Sequence, residues 1–337
     1  MDQLISTPPV PADVPTTVPA ANSSAASPAV CASGASAGND VDGSGIDFER
    51  RFGGVARLYG APALAGFRAA RVCVIGVGGV GSWIVEALAR SAVGHITMID
   101  LDNLAESNVN LQIHALSDTL GMAKVDALAQ RIALINPFCS VHCVEEFLTE
   151  DNVAAMVGGG QFDHIIDAID DVRAKVALIA YCRAQGMSLT TIGGAGGQTD
   201  PTKIEVRDLC RTEQEPLLAR VRKRLRALHG FPRGTRNKFH IDAVFSTEPL
   251  AMPGLAGGPQ EGPVQSGRSG QGANGFTGLN CAGYGSSVAV TASFGFVAAA
   301  HVLRKIADTA NAAHAAENAV ETIAAGKPDM PAMSTPT

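Results

Sequence analysis

Residues 74–83 read VIGVGGVGSW. An apolar run ending in Val74 and Ile75 leads into glycines in the G-x-G-x-x-G spacing, Gly76, Gly78 and Gly81, with Gly79 between them. Ser82 then opens a stretch with helical apolar spacing to Ala92. A strand–turn–helix of this kind leaves bare backbone N–H groups at a helix N-terminus, where a nucleotide phosphate binds. The glycines place a nucleotide site behind the first strand without choosing between NAD and ATP.

Outward from this turn the chain alternates strand and helix. RVCVIG (71–76), HITMID (95–100), VHCVEEF (141–147), HIIDAID (164–170) and SLTTIGG (188–194) read as strands, and 124–135 and 172–185 as helices between them. TKIEVRDL (202–209) reads as an additional strand leaving the parallel core. The alternation predicts a doubly wound, Rossmann-like α/β fold with a mostly parallel sheet and a C-terminal extension. Residues 1–45 are dominated by Pro, Ser, Ala, Gly and Thr and read as a disordered tail, leaving an ATP-binding domain over 46–315. PGLAGGPQEGPVQSGRSGQGANG within 251–275 reads as a mobile loop, and 316–337 as a second tail.

Composition narrows the class. A net charge of −6 over 337 residues argues against a protein that coats nucleic acid indiscriminately, although a local basic patch remains compatible with it. The seven cysteines form no C-x-x-C pair, so no four-thiolate zinc site is expected. The first residues lack the basic start and apolar core of a secretory signal, so a reducing cytoplasm is the expected setting.

Asp100 ends the second strand about 20 residues past the glycines, where a carboxylate grips a ribose in either kind of nucleotide. Asp102, Asn108 and Asn110 follow, Lys124 begins a helix, and DAIDD (167–171) presents Asp167 and Asp170 where α/β sheets bind ligands. A lysine and a carboxylate beside a phosphate turn suit a triphosphate with Mg²⁺, and hydride transfer needs neither.

GVGGVGS, IDLDNL-x-x-SNVN, G-x-x-KV and DAIDD together resemble the ATP site of the ubiquitin-activating-enzyme-like superfamily, the ThiF/MoeB-like proteins. RFGGVARLYG (51–60), GGAGGQTDPTKI (193–204), VFSTEPL (244–250) and TASFGFVAAAHVL (291–303) are further similar to the bacterial tRNA threonylcarbamoyladenosine dehydratases. The likeness covers about 48 to 310 and implies an ATP-dependent, ligase-type tRNA-modifying enzyme. In such an enzyme the threonyl carboxylate of the modified nucleoside beside the anticodon attacks the α-phosphate, pyrophosphate leaves, and the acyl adenylate closes into a ring. On that pattern Gly76, Gly78, Gly79, Gly81, Asp100, Asp102, Asn108 and Lys124 hold ATP. Lys124 also neutralises developing charge, and Asp170 holds Mg²⁺. Arg51 or Arg57 reaches across a homodimer as an arginine finger. Activation of a sulfur-carrier or ubiquitin-like C-terminus is the alternative enzyme reading.

Two positions depart from the family pattern. Leu111 stands where the superfamily places an arginine, and leucine cannot imitate a forked phosphate donor. Either another cation such as Arg57 or Arg173 substitutes, or this copy is a catalytically weakened nucleotide-binding homologue. Ala243 stands where relatives can carry a cysteine, which weakens the implied link to a cysteine desulfurase. Cys210 and Cys281 read as small hydrophobes rather than nucleophiles.

The segment 214–240 reads as a basic helix, with eight Lys or Arg and no acid between Leu217 and His240. Leu217, Val221, Leu225 and Leu228 form its buried stripe. Arg220, Arg222, Lys223, Arg224 and Arg226 are the expected tRNA contacts, with Phe231 and Phe239 as stacking candidates. From Cys281 to Leu303 no acidic residue, lysine or arginine occurs. That length permits membrane association, but its Gly, Ser and Ala content suits burial in a dimer core better.

Overall fold

The computed structural model describes residues 45–250 and 285–325; the tail over residues 1–44, the loop expected at 251–275 and Cys281 lie outside them. Seven strands form one sheet in the order β3-β2-β1-β4-β5-β7-β6. They are β1 (Arg71–Ile75), β2 (His95–Ile99), β3 (Ser140–Val144), β4 (His164–Asp167), β5 (Leu189–Ile192), β6 (Ile204–Asp208) and β7 (Asp242–Ser246). All neighbours run parallel except β6, which pairs antiparallel with β7 at the sheet edge. This is the doubly wound, Rossmann-like sheet that the alternation predicts.

Strand period two divides β1 between two cores. Val72 and Val74 point into a layer with Ile84, Leu88, Phe294 and Val302. Cys73 and Ile75 point the other way, toward Ile165, Ile179, Val221 and Phe239. The first layer holds α3 (Gly81–Arg90), α4 (Lys124–Ile135) and the C-terminal helix α8 (Val288–Ala325), with α1 (Phe48–Tyr59) and α2 (Ala61–Ala69) at the N-terminal edge of the sheet. The second holds α5 (Val153–Val157), α6 (Val172–Gln185) and α7 (Pro216–Leu228). Glu86 of α3, almost fully buried, ties the first layer together by accepting from Arg131 of α4 at 2.6 and 3.0 Å.

Three local expectations change. The helix predicted over 214–240 ends at Leu228, because Gly230 takes a left-handed φ of +67° and Pro232 follows. Leu228, expected in the buried stripe, is exposed, and Leu218 takes its place. α8 continues through 316–325, a stretch predicted as tail; an alanine-rich extension of an anchored helix adds residues at little cost.

The described part of the apolar stretch, 285–303, packs one face inside the chain. Val290, Phe294, Ala298, Val302 and Leu303 are buried, and α8 lies along α2 and α3. The chain's own sheet and helices bury one side of this helix, while Val288 and Phe296 stay exposed. The helix is long and apolar enough to cross a membrane by length and composition, but half of its apolar window is buried inside the fold.

His164 on β4 is buried and meets the Thr190 hydroxyl at 2.8 Å. Burial pushes its pKa down to about 3, with the charges of Lys305 and His301 acting the same way. The folded chain then keeps it neutral where the unfolded chain takes a proton near pH 6.5. Stability therefore falls as pH drops from about 6.5 toward 3, by up to about 1.4 kcal/mol per pH unit for this group. Denaturation midpoints measured from pH 7 to pH 5 should decline less steeply in His164→Gln. An identical slope would show that the imidazole titrates normally in the fold.

Candidate nucleotide site

The glycine turn sits at the C-terminal end of β1, and β4 follows β1 in the sheet although β2 and β3 lie on its other side. This is the strand-order reversal where open α/β sheets bind ligands. Gly76 has φ +81°, and a Cβ there would lie 2.9 Å from the Ala168 carbonyl oxygen at the end of β4. At Gly81 a Cβ would lie 1.9 Å from the Gly76 carbonyl oxygen, so the turn closes on itself without room for a side chain. Among the described residues the backbone N–H groups of Gly78, Gly79, Val80 and Gly81 meet no protein acceptor, and they cluster at the start of α3. Positive helix-end dipole and free donors make an anion cradle.

Asp100 fixes this cradle. One carboxylate oxygen accepts the Val77 N–H at 2.8 Å and the other the Asp102 N–H at 2.9 Å. Burial pushes its pKa up, opposed by the Lys124 charge and by those two N–H groups. Lys124, itself buried, donates to Asp102 at 2.7 Å, while Asp102 stays half exposed. Behind this pair His114 is buried with neither ring nitrogen hydrogen-bonded. Burial, then the charges of Lys124 and Arg131, lower its pKa to about 3, so it is neutral at pH 7. Gln112, whose Nε2 lies near Gly78, has an unpartnered buried Oε1.

The DAIDD stretch divides its carboxylates. Asp167 is fully buried and paired with Lys175 at 2.8 Å, and it also accepts from the Thr191 hydroxyl at 2.7 Å. Leaving one partner of such a pair uncompensated costs about 3–5 kcal/mol, so Asp167 serves the fold rather than the exposed strand edge predicted for it. Asp171 caps α6 through the N–H groups of Arg173 and Ala174. Asp170 alone is half-buried with no hydrogen bond or ion pair among the described residues.

Asn108 turns back on its own loop, accepting the Ala105 N–H at 3.0 Å. Leu111 lies over the turn, with its Cδ1 2.5 Å from where a Gly79 Cβ would stand. Its carbonyl accepts from Trp83 Nε1 at 3.0 Å and Thr291 Oγ1 at 3.3 Å, which binds α8 to the loop. Arg51 donates to the Leu134 and Ile135 carbonyls at 3.1 and 2.7 Å, capping α4 within its own chain. Arg57 is exposed and lies over Gly53 and Gly54. Both arginines sit on α1, at the sheet edge away from the chain's own glycine turn.

On α7, Arg222 donates to the Thr212 hydroxyl, and Arg226 reaches the Pro232 and Gly234 carbonyls at 3.2 and 3.3 Å while stacking on Phe239. Phe239 is 1 % exposed and packs edge-on to Phe231 at 4.9 Å, so it is core rather than a base platform. Arg220 and Lys223 face solvent, and Arg224 is half-buried without a partner among the described residues. Ala243 and Cys210 are both buried, and burial raises the Cys210 pKa. No sequence motif marks Gln112, His114 or Glu215. Gln112 and His114 sit two and four residues beyond Asn110. Glu215 precedes the helix-opening Pro216, and its carboxylate accepts the Gly194 N–H at 2.9 Å.

A phosphate cradle at the switch point of a doubly wound sheet, with a buried lysine and an unpaired carboxylate beside it, defines a nucleotide-binding α/β protein. The chain belongs to the ThiF family, whose model matches residues 53–335. It is 49 % identical over 266 residues to the tRNA threonylcarbamoyladenosine dehydratase of Escherichia coli, covering 77 % of this chain and 94 % of that one. The Haemophilus influenzae protein of that name is 45 % identical over 261 residues, with the same coverages. The crystal structure of the E. coli dehydratase in complex with ATP aligns with a TM-score of 0.68 at 45 % identity, covering 81 % of this chain and 98 % of the other.

The geometry separates two glycines that look alike in sequence. Gly78→Ala meets nothing closer than 3.8 Å and should keep wild-type stability. Gly81→Ala should lose at least about 1–3 kcal/mol and most of its ATP affinity. Thermal melts and calorimetry check this, and equal behaviour of the two variants would show that the turn is not closed as described.

Proposed function

We propose that the protein dehydrates threonylcarbamoyladenosine in tRNA, using ATP to adenylate the threonyl carboxylate. The observation that carries this reading is the cluster of four N–H donors at the switch point that meet no acceptor among the described residues, with Lys124 linked to it through Asp102 and Asp100. A free carboxylate is a poor electrophile. Its oxygen bonds to the α-phosphorus as pyrophosphate leaves, and ring closure then expels AMP, so the oxygen removed from the substrate departs on AMP. The chain's part is positioning and charge stabilisation.

In this reading the N–H groups of Gly78, Gly79, Val80 and Gly81 hold phosphate oxygens. Asp100 keeps the turn in place and offers its remaining lone pairs to a ribose. Lys124 exchanges Asp102 for phosphate when the nucleotide arrives, and the neutral His114 behind it adds no competing charge. Asp170 has an oxygen free for a Mg²⁺ that accompanies the triphosphate, which supplies charge neutralisation there. Arg57 is the arginine that a second copy of the chain would contribute in a homodimer, since Arg51 is engaged at home. Arg220, Lys223 and Arg224 meet tRNA phosphates. Zinc is not required in this reading, because the cysteines are spaced without a C-x-x-C pair, and a sulfur-transfer partner has no support from the buried Cys210. Cytoplasmic work beside tRNA completes it.

Mass spectrometry of nucleosides from threonylcarbamoylated tRNA, incubated with the protein and Mg-ATP, should reveal a product lighter by one water. Lys124→Ala should reduce its formation by about 10²–10³-fold, as loss of a charge-stabilising donor does. AMP formed only with a small carrier protein, and no change in tRNA, would favour the carrier-activating reading instead.

A weakened catalyst is the second reading, favoured by one observation: Leu111 covers Gly79 with a methyl group where an arginine would present donors. Leu111→Arg should raise ATP turnover at least about tenfold if that position faces the phosphates. Unchanged turnover would remove position 111 from the phosphate site.

A further inference from the structure

The edge of the sheet opposite the glycine turn carries a second concentration of charge. There β6 ends as β7 begins, with Asp208 opposite Asp242 in the antiparallel register. The α7–β7 loop and the middle of α8 close around them. The resulting cleft, about 600 Å³, has Arg207, Arg211, Lys238, His240 and Lys305 in its wall.

The two carboxylates of this cleft are already engaged. Asp208 accepts the N–H groups of Cys210, Phe239 and His240 at 2.9, 3.0 and 2.8 Å. Asp242 accepts from His301 at 2.9 Å and from Lys305 at 2.7 Å. Arg207 is matched by Glu205 and Glu213. Among the described residues two cations of the wall meet no carboxylate: Arg211 reaches the Thr235 carbonyl, at 3.4 Å, and Lys238 has no partner. Arg233 and Arg236 lie exposed on the same loop, also without a carboxylate among the described residues. In a chain of net charge −6 this local excess is not a general property of the surface.

The loop is built rather than loose. His240 holds a φ of +59°, uncommon for a residue with a side chain, and the Asp208 carboxylate fixes it through the backbone N–H. Arg226 secures the other limb through the Pro232 and Gly234 carbonyls. α7 links this edge to the nucleotide edge. Its Glu215 cap holds Gly194 just past β5, and its 13 residues then span about 20 Å toward the loop. Arg220 and Lys223 face solvent on the way.

We propose that this cleft is a second anchorage for the sugar-phosphate backbone of the RNA substrate, with Arg211 and Lys238 as its phosphate contacts. The inference rests on the tRNA reading above. Contacts of this kind carry no sequence information; they fix the register of a long polyanion so that one nucleotide reaches the distant site.

The test is tRNA binding by the full-length protein between about 50 and 200 mM salt, with ATP affinity and melting temperature measured in parallel. Arg211→Ala with Lys238→Ala should weaken tRNA binding about tenfold or more. It should also lower the slope of log K against log salt by about 1.4–1.8, which is two phosphate contacts. ATP affinity and melting should stay as in the wild type. The charge-preserving pair Arg211→Lys with Lys238→Arg should bind as the wild type does. Wild-type affinity and slope in the alanine pair would overturn the proposal, as would equal weakness in the charge-preserving pair. Arg220→Ala with Lys223→Ala is the comparison; a loss there alone would confine the RNA to α7 and exclude the cleft. A wild type that binds ATP but no tRNA would overturn the tRNA reading itself, an outcome distinct from a silent alanine pair.

Discussion

The approach of Gly81 to the carbonyl of Gly76, closer than any side chain permits, is the constraint from which the rest of the site follows. It folds the backbone after β1 into a turn so tight that four successive N–H groups meet no protein acceptor among the described residues. Those donors coincide with the start of α3, so the helix dipole adds to them instead of opposing them. Asp100 makes the arrangement rigid by bonding to both Val77 and Asp102, coupling the turn to the end of the neighbouring strand. A single carboxylate thereby fixes two loops that a nucleotide must meet together.

Electrostatics around the turn are arranged in pairs. Buried charges are costly unless matched, so Lys175 and Asp167 neutralise one another beneath the site. Lys124 is matched by Asp102 only loosely, because Asp102 stays half exposed. That difference separates a pair that maintains the sheet from one that can exchange its partner for phosphate. His114, neutral beside Lys124, avoids a second buried cation at the same place.

The C-terminal helix joins the two halves of the molecule. At its start Thr291 holds the Leu111 carbonyl, and at its middle His301 and Lys305 hold Asp242 at the opposite sheet edge. An apolar stretch that resembles a membrane span by composition is thus a brace running from the nucleotide edge to the cationic cleft. Its glycine matters locally, since a Cβ on Gly295 would lie 2.6 Å from Trp83 Cβ, and Trp83 is the second donor to Leu111.

The sequence by itself determined the doubly wound class, the strands β1 to β6 in chain order, the helices over 124–135 and 172–185, and the position of the phosphate turn, whereas β7 and its place between β5 and β6 belong to the folded sheet. Those features depend on near neighbours: apolar period, glycine spacing, an Asp171 cap and the Asn136–Pro137 stop act within a few residues. Tertiary structure alone decided where long polar side chains point. Arg51 caps α4 from 83 residues away, while Arg222, Arg226, Asp167 and Phe239 meet partners six to ten residues along the chain that only the folded turns bring within reach. A flexible side chain of four or five rotatable bonds takes its direction from whichever acceptor the fold brings within reach. Composition counts such charges, but only the packed chain says which are already matched and which remain free to bind.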